Sequence, residues 1–230
     1  MTGPISEEVQ ASADPTVSQG QTETQPVVRM LGMIVAGALA AGLCYAVVTG
    51  VGDVYPTPEE ALNLKGIPSP EEQTIIDAAL RVAATGNAMA WLGITGAILG
   101  GMLALATGLL WHAGRGIAIG TVAGMIVGGG LGYLSGNFAI SNHASLTMSV
   151  SDDVASLEQQ TMLMHGITWS LIGLGVGLGC GLARPTIQPK PVLISVIVAG
   201  TMGCVAGGIF PIVAGVAAPL ENSVVPIPGS

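Results

Sequence analysis

Five stretches of this chain contain no aspartate, glutamate, lysine or arginine. They run from Met30 to Gly52, Val82 to Gly114, Gly116 to Ser151, Gln159 to Ala183 and Pro191 to Leu220. About 20 apolar residues carry a helix across a bilayer, and each stretch holds one such helix. A closed barrel is the other spanning solution. It needs alternating polar residues, which these runs lack. Composition points the same way: 50% of residues are hydrophobic and 9% are charged, against about 25% charged in an ordinary globular chain. So few charges cannot cover a water-soluble surface. The expected fold is an all-α polytopic membrane protein with spans at 28–51, 88–110, 116–134, 162–183 and 192–216, inside a helical bundle covering 27–218. Aromatics make up only 3% of the chain, yet Trp91, Trp111 and Trp169 fall near span ends, where an amphipathic ring is well accommodated.

Orientation follows from the basic residues flanking the spans. Arg29, Arg115, Arg184 and Lys190 share one side of such a topology, and Lys65 and Arg81 share the other. The N-terminus is therefore expected in the cytoplasm and the C-terminus outside. Residues 1–26 carry Glu7, Glu8, Asp14 and Glu23 and precede the first basic residue. They are expected to form a disordered acidic tail, with no cleavable signal peptide. Residues 219–230 are expected as a short outside tail. The formal net charge of −8 and the lack of a basic patch argue against nucleic acid as a partner.

The chain repeats itself. Ile34–Tyr45 reads IVAGALAAGLCY, and Val122–Tyr133, 88 residues later, reads VAGMIVGGGLGY. The fifth span adds MGCVAGGIF at Met202–Phe210. A shift of 78 pairs Trp91 with Trp169 in the second and fourth spans. The loops follow suit. Ser69-Pro70-Glu71-Glu72 combines an N-cap serine, a proline at the first helical position and a glutamate three residues after the cap. The helix starting there carries Ile75, Ile76, Ala79, Leu80, Ala83 and Ala84 at helical spacing and is expected to run straight into the second span. Ser149, Ser151, Asp152 and Asp153 echo the pattern before the fourth span. The expected architecture is about two and a half tandem copies of a two-helix unit, with the even-numbered helices extended outside the membrane.

Glycine placement carries the packing argument. Of 35 glycines, Gly116, Gly120, Gly124, Gly128, Gly132 and Gly136 recur every fourth residue in the third span. The second span has Gly96, Gly100 and Gly108, with Ala104 between. The fourth has Gly173, Gly177 and Gly181, and the fifth has Ala199, Gly203 and Gly207. Small residues at this spacing let backbones approach closely inside lipid, where no hydrophobic drive separates helix from acyl chain. Four residues turn a helix by about 400°, so each glycine is displaced roughly 40° from the last. One straight partner cannot follow six of them. The third span is therefore expected at the centre, contacted by at least two helices.

Chemistry is scarce. No acid or base lies within a span, which disfavours a proton-driven rotor, a proton-coupled carrier and a voltage sensor. Cys44, Cys180 and Cys204 all fall inside spans, as small packing residues do. A metal would need His143, His165, Asp152 and Asp153 to converge; ordinary solvation of His112, His143 and His165 at the interface is the better expectation. Ser135 in Gly132-Tyr-Leu-Ser-Gly136 misses an intramembrane-protease spacing by one residue. Thr95, Thr107, Thr121, Ser170, Ser195 and Thr201 read as helix-bonding hydroxyls, Pro211 as a static kink, and the acids Asp53, Glu59, Glu60, Glu71, Glu72 and Asp77 as a solvated face. No catalytic residue, metal ligand or cofactor is expected. The expected function is that of a non-catalytic structural or accessory membrane subunit. Its partners are the lipid bilayer and either further copies of itself, as a homo-oligomer, or other membrane proteins. The rival is a small oligomeric channel with a lumen of Gly, Ser and Thr.

Overall fold

Ser69 does start a helix. In a computed structural model, which describes residues 16–57, 59, 68–149 and 154–217, the Ser69 hydroxyl accepts the Glu72 N–H at 3.3 Å. The Ser69 N–H donates to Glu72 Oε2 at 2.8 Å. This capping box opens a 41-residue helix that continues unbroken to Leu110. At about 1.5 Å per residue it is about 60 Å long, twice a hydrocarbon core of about 30 Å. Its charged residues, Glu71, Glu72, Asp77 and Arg81, all fall between residues 71 and 81, near its N-terminal end.

The described chain is all-helical. The elements are α1 (Thr16–Val51), α2 (Pro70–Leu110), α3 (Arg115–Ser149), α4 (Val154–Leu182) and α5 (Pro189–Ala217). All five are long and apolar enough to cross a membrane. Two boundaries differ from the sequence expectation. Helix α1 begins at Thr16, within the segment expected as a disordered tail, because extending an existing helix into Gln- and Glu-rich sequence is cheap once it is nucleated. Helix α3 runs on past Leu134 to Ser149, since neither glycine nor proline interrupts the sequence after Gly136. Residues 1–15, Asp152 and Asp153, and the 219–230 tail lie outside the described residues.

Among the described residues, α2 packs against α1, α3 and α4, while α4 packs against α2, α3 and α5. Helix α3 touches α2 and α4, α1 touches only α2, and α5 touches only α4. Helix α3 thus has its two neighbours, but the centre is the α2–α4 pair. Half of the α4 span is buried, against 22% of the α3 span. The reason is one-sidedness: Ile119, Val122, Met125 and Ile126 on α3 face outward, where lipid suits them.

The connection between α2 and α3 is tight. His112 takes φ +49°, and the Ala113 and His112 N–H groups close onto Gly108 and Leu109 carbonyls. This is a Schellman cap with histidine in the place glycine usually takes. Gly114 at φ +52° then turns the chain into α3.

Candidate functional site: the glycine seams and the bundle ends

Three seams are built backbone against backbone. Along α2 and α3, Ala88 faces Gly136, Leu92 faces Gly132, Gly96 faces Gly128 and Gly100 faces Gly124. Each four-residue step up one helix matches a four-residue step down its antiparallel neighbour. A Cβ on Gly96 or Gly100 would strike the Gly128 or Gly124 carbonyl, and one on Gly108 would stand 2.8 Å from Ile117 Cγ1. The stripe then changes partner. Gly116 and Gly120 meet Arg184 and Ala183 just past the end of α4, as the 40° drift per step requires.

Helices α4 and α5 repeat this geometry. Gly173 faces Ala199, Gly177 faces Ser195 and Gly181 faces Val192, while Gly203 and Gly207 face the Trp169 and His165 backbones. The third seam joins α3 to α4 through two glycines outside the sequence-level set, Gly175 and Gly179. A Cβ on Gly175 would stand 2.6 Å from Gly128 Cα, and one on Gly179 would stand 2.7 Å from Gly124 Cα. Their signal was present in the alternation L-G-V-G-L-G-C-G of residues 174–181. Residues two apart point about 200° apart on a helix. Gly173, Gly177 and Gly181 therefore serve one face, and Gly175 and Gly179 the opposite one.

Several hydroxyls turn back on their own helices, while the enclosed Thr121 Oγ1, Gln160 Oε1 and Thr168 Oγ1 have no hydrogen-bond partner among the described residues. Ser135 is fully buried and donates to the Gly132 carbonyl at 2.7 Å. Thr107 donates to Leu103, Ser195 to Pro191 and Thr201 to Ile197. Cys44 is buried with its thiol 3.8 Å from the Thr95 carbonyl. His165 departs from the expectation of ordinary solvation: it is 1% exposed, with its ring 5.3 Å from that of Phe210. Across the α4–α5 seam, Gly207 lies against the His165 carbonyl and Trp169 Cδ1. The side chains of His143, Asp152 and Asp153 lie outside the described residues. Pro211 sits within a continuous α5 and leaves the Gly207 carbonyl without its helical N–H.

Two polar clusters mark the ends of the bundle. At one end the buried Asn87 side chain reads the backbone of Tyr55: its Oδ1 accepts from Tyr55 N–H at 2.8 Å and its Nδ2 donates to Tyr55 C=O at 2.9 Å. Trp91 Nε1 donates to Gly52 C=O at 2.8 Å, and Gly52 ends α1 at φ +62°. Together these bonds latch the segment after α1 onto α2. At the other end the Arg29 guanidinium lies 4.1 Å above the Trp111 ring, and the Arg184 guanidinium lies 5.7 Å from the same ring. Flanking bases at span ends suggested that these residues share a side, but nothing in the spacing marked their convergence on one indole. Comparison with known protein families, curated proteins and solved structures gave no match for this chain.

Proposed function

We propose that the chain is a non-catalytic integral membrane protein, a structural or accessory subunit that assembles through close, glycine-mediated helix packing. The observation that carries this reading is the set of three seams in which backbone meets backbone. The buried hydroxyls of Ser135 and Thr107 are occupied with their own helices rather than gathered around a common centre. Partner contact falls most naturally to α1. It touches only α2, and a methyl on its Gly37 or Gly42 would meet open space. In this reading the N-terminus and the basic helix ends are cytoplasmic.

The tandem-repeat reading belongs with this proposal. At the 88-residue shift, Gly124, Gly128 and Gly132 of the α3 seam correspond to Ala36, Ala40 and Cys44. Of these, Ala40 and Cys44 are buried. Gly42 and its counterpart Gly130 both look onto open space. The second half of the unit fits with one adjustment. The tryptophans align at 78, but the seam glycines Gly96 and Gly100 align with Gly173 and Gly177 at 77. One residue fewer lies between tryptophan and seam in α4.

Native mass spectrometry of the tagged protein, gently released from its own membrane, tests the assignment. Co-purification with a defined set of other membrane proteins is the expected result. A single homo-oligomeric mass with measurable conductance would replace the accessory-subunit reading with the channel. A lone monomer would overturn both.

A further inference from the structure

The α4–α5 seam stops short of the end of α5. Its tight steps set Ala199 against Gly173, Gly203 against Trp169 and Gly207 against His165, backbone on backbone. The next four-residue step is Pro211, which is buried and has no N–H to give the Gly207 carbonyl. The fit has already loosened by then: a methyl on Gly208 would find only the Met162 carbonyl oxygen, at 3.8 Å. Beyond it Ile209, Phe210, Ile212 and Val213 are exposed, and Pro211 alone among residues 209–213 is buried. Sharp bends in long helices fall at prolines and at glycine pairs. Gly207, Gly208 and Pro211 put both within little more than one turn of α5. Segments with few buried apolar contacts are also the ones that open locally at least cost.

That end of α5 lies over a histidine. His165 is 1% exposed, and the Phe210 ring stands 5.3 Å from its own, tilted by 38°. In the charge-free stretch from Gln159 to Ala183 it is the only histidine, and Thr161 and Met164 close to it on α4 are buried as well. A bend between Gly207 and Pro211 moves Phe210 and all that follows, and leaves the seam from Ala199 to Gly207 as it is. We propose that residues 208–217 form a hinged flap over His165, with Gly207, Gly208 and Pro211 as the hinge and Phe210 as the contact. In the closed form Phe210 shields the imidazole. In the open form the ring offers a donor and an acceptor that the rest of the α4 span lacks. A ligand that binds only the open form shifts the balance toward it by its differential affinity. The static kink expected from the sequence thus becomes a moving one. The inference requires only the α4–α5 geometry, so it stands or falls apart from the subunit reading.

Modification of the full chain by diethyl pyrocarbonate in phosphatidylcholine nanodiscs, read histidine by histidine with peptide mass spectrometry, tests it. Wild-type His165 is expected to react at a measurable rate through the open form. Pro211→Ala gives the Gly207 carbonyl an N–H, and Gly208→Ala stiffens the hinge. Each should slow His165 about fivefold or more, the worth of one hydrogen bond or one helical glycine. Exposed His112, at the other end of the bundle, should react as before. Phe210→Ala removes the cover and should speed His165. Gly130→Ala, whose methyl meets open space on α3, should leave the His165 rate unchanged, which separates flap opening from global unfolding. If Pro211→Ala fails to fold, Gly208→Ala decides, because its methyl makes only ordinary contact. Hinge variants that react as fast as wild type overturn the flap. A wild-type His165 that is inert while Phe210→Ala reacts shows a fixed cover and overturns it too. Inertness in both removes Phe210 as the cover, and equal slowing in Gly130→Ala and Gly208→Ala assigns the reaction to unfolding; either result also overturns the proposal.

Discussion

Gly175→Ala isolates the seam argument in one methyl group. Built onto the structure, that methyl stands 2.6 Å from Gly128 Cα, 2.7 Å from Gly128 N and 3.1 Å from the Val127 carbonyl carbon. Carbon atoms rest about 3.5–4.0 Å apart, so α3 and α4 must separate by about 1 Å, and a gap of that size forfeits up to about half of each contact's attraction. Gly128 has little freedom to retreat, because the Gly96 carbonyl presses on its other side. Overpacking costs about 1–3 kcal/mol, and three rigid backbone atoms place this case at the upper end. Replacing a helical glycine with alanine returns about 1 kcal/mol. The net expectation is about 2 kcal/mol of destabilisation, enough to change the folded-to-unfolded ratio by about 30-fold. Gly130→Ala is the matched control: nothing lies within 4 Å of its added methyl, so only the gain of up to about 1 kcal/mol remains. The two variants should move in opposite directions when SDS-driven unfolding in mild detergent is followed by far-ultraviolet circular dichroism. A Gly175→Ala protein as stable as wild type would refute the reasoning. So would a Gly130→Ala protein destabilised to the same degree.

The same reasoning separates adjacent residues. Gly100→Ala meets the Gly124 carbonyl and should destabilise, whereas Gly101→Ala meets Cγ and Sδ of the flexible Met125 side chain rather than backbone. The second change should cost less than about 1 kcal/mol in the same unfolding assay. Asn87→Leu removes both bonds to the Tyr55 backbone. It should cost about 1–3 kcal/mol for the unsatisfied groups, and protease cleavage near Tyr55 should speed up while the rest of the bundle stays protected. The Ser69 backbone N–H, and then its hydroxyl, hold the Glu72 carboxyl below its ordinary range. A lowered carboxylate stabilises the folded form above its unfolded value, and that support fades as pH falls through the lowered one. Amide protection in the first turn of α2 should therefore drop in acid, and Glu72→Gln should flatten the response; an unchanged pH profile in the variant would contradict it.

Much of this architecture is legible from residue spacing alone. The charge-free stretches locate five helices, and Ser69 with Glu72 marks where α2 begins, well ahead of its apolar part. The four-residue glycine steps in α2 and α3 name residues that meet one another. The less legible features have physical causes. Gly175 and Gly179 are hidden because a single stripe at 173, 177 and 181 already accounts for the glycine-rich run. Only the 200° relation between alternate residues reveals a second face. The length of α3 was underestimated because hydropathy fades after Leu134 although helix formation does not. His165 looks interfacial from its position at the start of a span, but its ring packs beside Phe210 on α5, 45 residues away. The meeting of Arg29 and Arg184 on Trp111 is a contact between three different helices, and no local spacing encodes it.

The two-faced character of α4 explains how such a bundle holds together without a polar core. In lipid, helices associate through close packing or through hydrogen bonds between side chains. Here Ser135, Ser195 and Thr201 donate to carbonyls of their own helices, and bonds between elements, such as Thr107 Oγ1 to Met33 Sδ at 3.6 Å and Arg184 Nη2 to Ser195 Oγ at 3.2 Å, are few among the described residues, so proximity carries much of the packing. Proximity in turn demands small residues on every face that has a neighbour. Helix α4 has glycine on opposite sides and neighbours on both. Helix α3 has its stripe on one side and lipid-facing isoleucine, valine and methionine on the other. Helix α1 follows the same rule where it touches α2, through Ala40 and Cys44. It breaks the rule at Gly37 and Gly42, which are small with nothing beside them. By the logic that orders the rest of the bundle, a small residue without a neighbour is a place for one, and α1 is where a partner helix would be sought first.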